Sequence, residues 1–235
     1  MKKYLFSLIL TVSLLFTQCD VLQELQVPVT GRLTKDEIVQ GLKEALKVGT
    51  TNAIKVLARE NGFYLDQEVK IPFPQEVEYV EQKLRALGLH SMLDNFIEQM
   101  NHAAEKAVSK AGPVFYDAIR KMTITDALGI LNGPDNAATE YFRKKTYQQL
   151  VVAYKPDISQ VLHQTHLSDN WEKVTTAYNK IPFTKKVETD LPQYVTEKTI
   201  DGLFTKLAHE EKLIRTDPKA RVTEILRKVF AETGK

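Results

Sequence analysis

Five histidines, at positions 90, 102, 163, 166 and 209, and one cysteine, Cys19, are the side chains of this sequence best suited to metal binding or nucleophilic chemistry. His163 and His166 stand three apart on a predicted helix, a spacing at which two imidazoles can share a face and hold one ion. Neither a cysteine nor a flanking glutamate completes that set, so the pair reads as surface. His209-Glu210-Glu211 begins like a zinc-protease helix, but the second histidine of that motif would fall at 213, where the sequence has leucine. His102 lies between Glu98 and Glu105, opposite an apolar stripe, and the three read as a solvated face. No Gly-x-Ser-x-Gly, phosphate-cradling glycine loop or dinucleotide fingerprint occurs. The sequence therefore assigns no catalytic residue, no metal ligand and no cofactor, and a hydrolase or metal enzyme is an under-supported reading.

One charged group is more specific. Ile200, Leu203, Phe204, Leu207 and Ile214 form an apolar helical stripe, and Glu210 and Glu211 occupy the positions where that stripe would continue. A carboxylate on a buried face needs a partner. Arg215, four residues beyond Glu211, is the local candidate, and Arg143 and Asp126 are distant ones. The group is either an internal ion-pair network locking the C-terminal helices or a polar site in a helical cleft. Either way Glu211→Ala is expected to destabilise more than Glu105→Ala, because removing one member of a buried pair costs about 3–5 kcal/mol. A second pattern is the row Gly41, Ala45, Gly49 and Ala53, small residues every four positions. Glycine costs roughly 1 kcal/mol against alanine inside a helix, so the row implies a close approach, by another helix or by a ligand lying on the backbone.

The elements that carry these residues follow an N-terminal address. Met1-Lys2-Lys3 is a short positive start, residues 4–16 are an apolar run of 13, and Cys19 follows directly. Such a run is too short to span a bilayer, which needs about 20 residues, and fits the core of a secretory signal. With the cysteine it resembles a bacterial lipoprotein signal, cut before a cysteine that then carries a diacylglycerol, although Gln18 stands where such signals have Gly, Ala or Ser. A plain secretory signal or an uncleaved anchor are the other readings. The organisation expected is a signal peptide at 1–18, a lipidated cysteine and tether at 19–33, and one domain at 34–235. Residues 20–31, fully extended, would reach about 40 Å. The protein is thus expected outside the cytosol, on the periplasmic face of a membrane, held through Cys19. Without Lys2 and Lys3 the chain has 30 basic and 30 acidic groups, which gives no clustered charge for nucleic acid.

The body reads as helices. Thr34-Lys35-Asp36-Glu37 is a capping box opening a helix with Ile38, Leu42, Leu46 and Ile54 on one side. Residues 69–74 alternate, but Pro72 and Pro74 allow at most a short extended segment. Helical spacing resumes from Gln75 to Gly88 and again from Ser91, closed by Gly112-Pro113. Thr123 or Thr125 caps a short helix through Leu131, and Asn132-Gly133-Pro134 is a turn. The next helix starts at Asn136, is apolar on most sides near Leu150-Val151-Val152, and is broken by Pro156. Two shorter helices follow, at 157–166 and 169–180. Pro192 leads one to Arg215, and Asp217-Pro218 opens the last, through Phe230. The fold expected is all-α, a single bundle of about eight to ten helices.

Two blocks of this body carry a resemblance. Ile124-Thr125-Asp126-Ala127-Leu128-Gly129-Ile130-Leu131 with Ala137-Ala138-Thr139-Glu140-Tyr141-Phe142-Arg143 forms one. Asp201-Gly202-Leu203-Phe204, Glu210-Glu211, Ile214-Arg215 and the stretch from Ala220-Arg221 to Val229-Phe230 form the other. Together they resemble an uncharacterised bacterial envelope family catalogued as domain of unknown function 4197. The resemblance implies a helical domain behind a secretion or lipoprotein signal and supplies no activity. The function expected is a non-catalytic, membrane-tethered module that binds or scaffolds another envelope component. The alternative is a carrier or sensor of a small apolar or amphipathic ligand held between helices.

Overall fold

Thr34 begins a helix by satisfying backbone groups that the helix cannot. Its Oγ1 accepts from the Glu37 N–H at 3.2 Å, and Glu37 Oε2 accepts from the Thr34 N–H at 2.8 Å, both halves of a capping box. α1 then runs Lys35–Leu57. The computed structural model describes residues 33–180, 182–183, 186–187 and 190–232. The expected signal peptide, Cys19 and nearly all of the tether lie outside the described residues. Among those described there are nine helices and no strand, so the fold is all-α. After α1 come α2 (Glu78–Ala86), α3 (His90–Val108), α4 (Ala111–Lys121) and α5 (Ile124–Leu131). Then follow α6 (Ala137–Gln164), α7 (Leu167–Asn179), α8 (Leu191–Thr216) and α9 (Glu224–Glu232). None of the described helices is long and apolar enough to cross a membrane.

α6, 28 residues long, is the central helix and packs against α3, α4, α5, α7 and α8. Phe142, Thr146, Leu150, Tyr154, Ile158 and Leu162 are its buried stripe. A step of four on a turn of 3.6 residues carries that stripe slowly around the helix, so one narrow line of side chains meets several neighbours in succession. The expected burial on most sides does not hold: Val152 is 75% exposed. Nor does Pro156 end the helix. Proline frees the carbonyl four residues earlier, which here belongs to Val152, and both residues face solvent, so water can take the lost bond.

Two other boundaries move. Gly112-Pro113 lies in the first turn of α4, where proline is tolerated, and the break falls instead at Ser109-Lys110. Asp217-Pro218 opens a 3-10 turn, Pro218–Ala220, with the Asp217 carboxylate accepting from the Lys219 N–H, and α9 starts later. The alternating segment at 69–74 buries Val69, Ile71 and Phe73 but finds no strand to pair with. Asn101 of α3 takes that role: the Ile71 N–H donates to Asn101 Oδ1 at 2.8 Å, and Asn101 Nδ2 donates to the Ile71 carbonyl at 2.9 Å.

All four small residues of the α1 row are buried, but they meet different neighbours. A Cβ on Gly41 would sit 2.6 Å from Val229 Cγ2 on α9, whereas one on Gly49 would meet Glu210 Cβ of α8 at an ordinary 3.5 Å. The two substitutions should therefore differ in sign. Gly41→Ala is expected to lose about 1 kcal/mol or more to overpacking, and Gly49→Ala to gain up to about 1 kcal/mol from helix propensity. Urea unfolding of the two variants checks this, and equal shifts would refute the close seam at Gly41.

Candidate functional site

Glu211 and Arg215, one helical turn apart on α8, are 8% and 4% exposed. The carboxylate is saturated. Arg215 donates to Oε1 from Nη2 at 2.8 Å and from Nε at 3.1 Å, and the Ala138 N–H donates to the same oxygen at 2.9 Å. Thr139 donates to Oε2 from both its backbone N–H and its hydroxyl, each at 2.9 Å. Those backbone groups are the free donors of the first turn of α6, whose own N-cap residue, Asn136, makes no side-chain cap. Glu211 is therefore the cap of α6, supplied from α8, with its negative charge at the positive end of the helix dipole. Arg215 Nη2 also donates to the Ile130 carbonyl in the last turn of α5. Arg221 donates to the carbonyls of Ile214 and Arg215 at the end of α8. Beside this network the open space is about 20 Å³, enough for a single water.

The distant candidates do not join it. Arg143 donates to Asp201 at 3.1 Å and lies 4.5 Å over the Phe204 ring. Asp126 caps α5, accepting from the Thr123 hydroxyl and N–H, and those bonds hold its carboxyl below the usual range. Glu210 accepts from Asn52 Nδ2 at 2.9 Å. The histidines are dispersed as well. His166 has φ +57° and leaves the helix of His163, so the two share no helix face, though each ring stands 3.7 Å from Asp169. His209 pairs with Glu68 at 3.0 Å. Among the described residues, no group of three or more His, Cys, Asp or Glu is placed to hold a metal ion.

Glu105 overturns its reading as solvated. It is 6% exposed and accepts from the backbone N–H groups of Asn61, Phe63 and Tyr64 at 3.0–3.2 Å. His102 Nδ1 lies 2.8 Å from its other flank. The periodicity of α3 did place Glu105 opposite the apolar stripe, but residues 58–74 fold back across that face. Gly202 of α8 admits the same segment, since a Cβ there would lie 2.7 Å from Phe63 Cε1. Burial of His102 opposes its protonation, yet the hydrogen bonds and charges of Glu105 and Glu98 outweigh this and hold the imidazole above its ordinary value.

A third place is left open. Phe73, Phe96 and Trp171 form an aromatic floor, with centroids 5.5, 5.6 and 6.1 Å apart. Leu84 of α2, Met92 of α3 and Val174 of α7 rise around it, and the groove they enclose has a volume of about 370 Å³. Asn170 and Lys173 stand on its α7 side. α2 buries none of its residues, and Leu87 at its end is 75% exposed. No motif in the sequence marks this groove. The available signals were the apolar spacing of Val80, Leu84 and Leu87 on a helix too short to stand alone and the position of the only tryptophan.

The model of a family described as protein of unknown function (DUF4197) matches residues 32–231. No curated protein and no solved structure matches the chain.

Glu105→Ala and Glu211→Ala should each cost about 3–5 kcal/mol, since each strands buried donors. Denaturant unfolding that finds Glu105→Ala near neutral would refute its anchoring role. The raised His102 value also fixes a pH trend. Its contribution is fully present below the ordinary histidine value of about 6.5 and fades as pH rises through the raised folded-state value. The melting temperature of His102→Gln should therefore fall furthest below that of the native chain at acid pH, with the gap closing toward alkaline pH. A gap independent of pH would contradict the pairing.

Proposed function

The chain belongs to the DUF4197 family of proteins of unknown function, and on that premise we propose that it is a non-catalytic binding module that holds an apolar group in the groove between α2, α3 and α7. The observation that carries this reading is the contrast between the three places. At Glu211 and at Glu105 the polar groups are spent on neighbouring backbone, and the space beside Glu211 admits only a water. The groove has the size of a small-molecule pocket, about 300–1,000 Å³, an apolar lining and a helix on one side with no buried residue.

The same proposal places the module on a membrane. The N-terminal run and Cys19 support export and lipidation, and two acyl chains suffice for stable anchoring where one does not. The tether leaves the domain within about 40 Å of the bilayer, so an apolar group drawn from the membrane lies within its reach.

Trp171, the only tryptophan, reports on the groove directly. Titration of the full chain with an apolar probe such as monolaurin is expected to shift its emission saturably. Val174→Asp, which sets a carboxylate in the wall without touching the core, is expected to weaken that response about tenfold or more while leaving the melting temperature nearly unchanged. An unaltered titration in the variant would refute the groove as the site. Mass spectrometry of the N-terminus should find a diacylated Cys19, and an unmodified peptide beginning elsewhere would remove the tether.

A further inference from the structure

We infer that the group held in the groove is the chain of an anionic single-chain amphiphile, with Lys173 meeting its head. The inference rests on the binding reading above and adds the ligand's class and orientation. Of the described residues that line the groove, Lys173 is the only charged one and Asn170 the only other polar one, and none is a carboxylate. Both project from α7, one on each side of Trp171 in sequence, so the polar groups collect on one side of the groove and the aromatic floor fills the rest. That division matches a molecule with one charged end and one apolar chain.

Lys173 is available for this role. Arg85, next in sequence to the groove-lining Leu84, is engaged elsewhere, between Glu81 and Asp94 at 2.9 and 3.0 Å. Lys173 makes no ion pair with the described residues. Lys173 borders both the groove and a second, more open recess that it shares with Asp169 and Glu172; neither acid lines the groove. Asp169 is moreover approached by His163 and His166. A lysine is a flexible point charge whose stem packs along apolar surface while the ammonium stays wet, which suits the head of a fatty acid or lysophospholipid at the rim of an open groove. The aromatic floor suits the chain, since burial of methylene groups is the non-directional part of the affinity. An amphipathic helix of a partner protein would also find apolar surface here, but one cation and one amide on a single side give a single head its orientation more than they give a helix a register.

Laurate, monolaurin and lauryl trimethylammonium share one chain and differ in the head, so their titrations of the full-length protein, below the concentration at which each forms micelles and followed by Trp171 emission, separate the two claims. Laurate is expected to bind about threefold more tightly than monolaurin, the size of a partly exposed ion pair, and the cationic amphiphile least well. Lys173→Gln should bring laurate down to the affinity of monolaurin without changing monolaurin itself, and Lys173→Glu should invert the order of the two charged heads. Lysophosphatidylglycerol matching laurate would extend the class to anionic lysolipids, whereas preference for laurate alone would confine it to carboxylates. Equal binding of laurate and monolaurin by the native chain overturns the head assignment and leaves the apolar groove standing. Silence toward all three, with Trp171 emission still changed by an amphipathic helical peptide, overturns the amphiphile in favour of a protein partner. Silence toward every probe overturns the binding reading itself.

Discussion

The Glu211 carboxylate, with Arg215, ties the start of α6 and the end of α5 to one turn of α8. α6 begins with free N–H groups and an N-cap residue that does not cap it, the Ile130 carbonyl in the last turn of α5 accepts from Arg215 as well as from the Gly133 N–H, and both ends meet the same pair on α8. A single acid with an arginine one turn later satisfies all of them. A buried charge is tolerable only when its partners are complete, so this arrangement holds α5, α6 and α8 in one register. Moving α8 by one residue would carry the acid off the end of α6. The extension from Arg215 to Arg221, and from Arg221 to Arg227, carries the same logic to the C-terminal helix, each guanidinium closing carbonyls that the preceding turn leaves open.

Glu105 and Asn101 do for an irregular segment what Glu211 does for a helix. Residues 58–74 carry large apolar side chains into the interior but form no repeating backbone bonds of their own, and buried backbone polar groups must be paired. Two side chains four residues apart on α3 provide the partners, one for the turn around Phe63 and the other for Ile71. On the opposite flank Lys206 of α8 donates to Asp66 and Glu68 at 2.7 and 2.8 Å, and the Tyr194 hydroxyl donates to the Pro72 carbonyl. The segment is therefore tied to both α3 and α8, and it delivers Phe73 to the aromatic floor of the groove.

With these polar groups committed to architecture, the proposed binding rests on apolar surface. α2 sits at the edge of the bundle: among the described helices it packs chiefly on α3, and the gap between it and α7 is the groove. A function built on such a gap needs no activated nucleophile. It needs a rigid floor, which the Phe73, Phe96 and Trp171 rings supply, and a mobile edge, which a helix without buried residues can supply at small cost.

The all-α class, the capping box at Thr34, a cap at Thr123 or Thr125, the turn at Asn132-Gly133-Pro134 and the burial of Glu211 beside Arg215 were legible in the order of residues, because each depends on partners within one or two helical turns; that Thr123 and Asp126 form a capping box was not. The small-residue row was legible as a seam, though not that α9 closes over Gly41 while α8 rests more loosely on Gly49. The reach of α6 through Pro156, the burial of Glu105, the departure of Arg143 and Asp126 from the acid network, and the groove itself were decided only by the tertiary structure. Each depends on which face meets solvent and which meets a segment remote in sequence. Periodicity reports that a face exists; it does not report what folds across it.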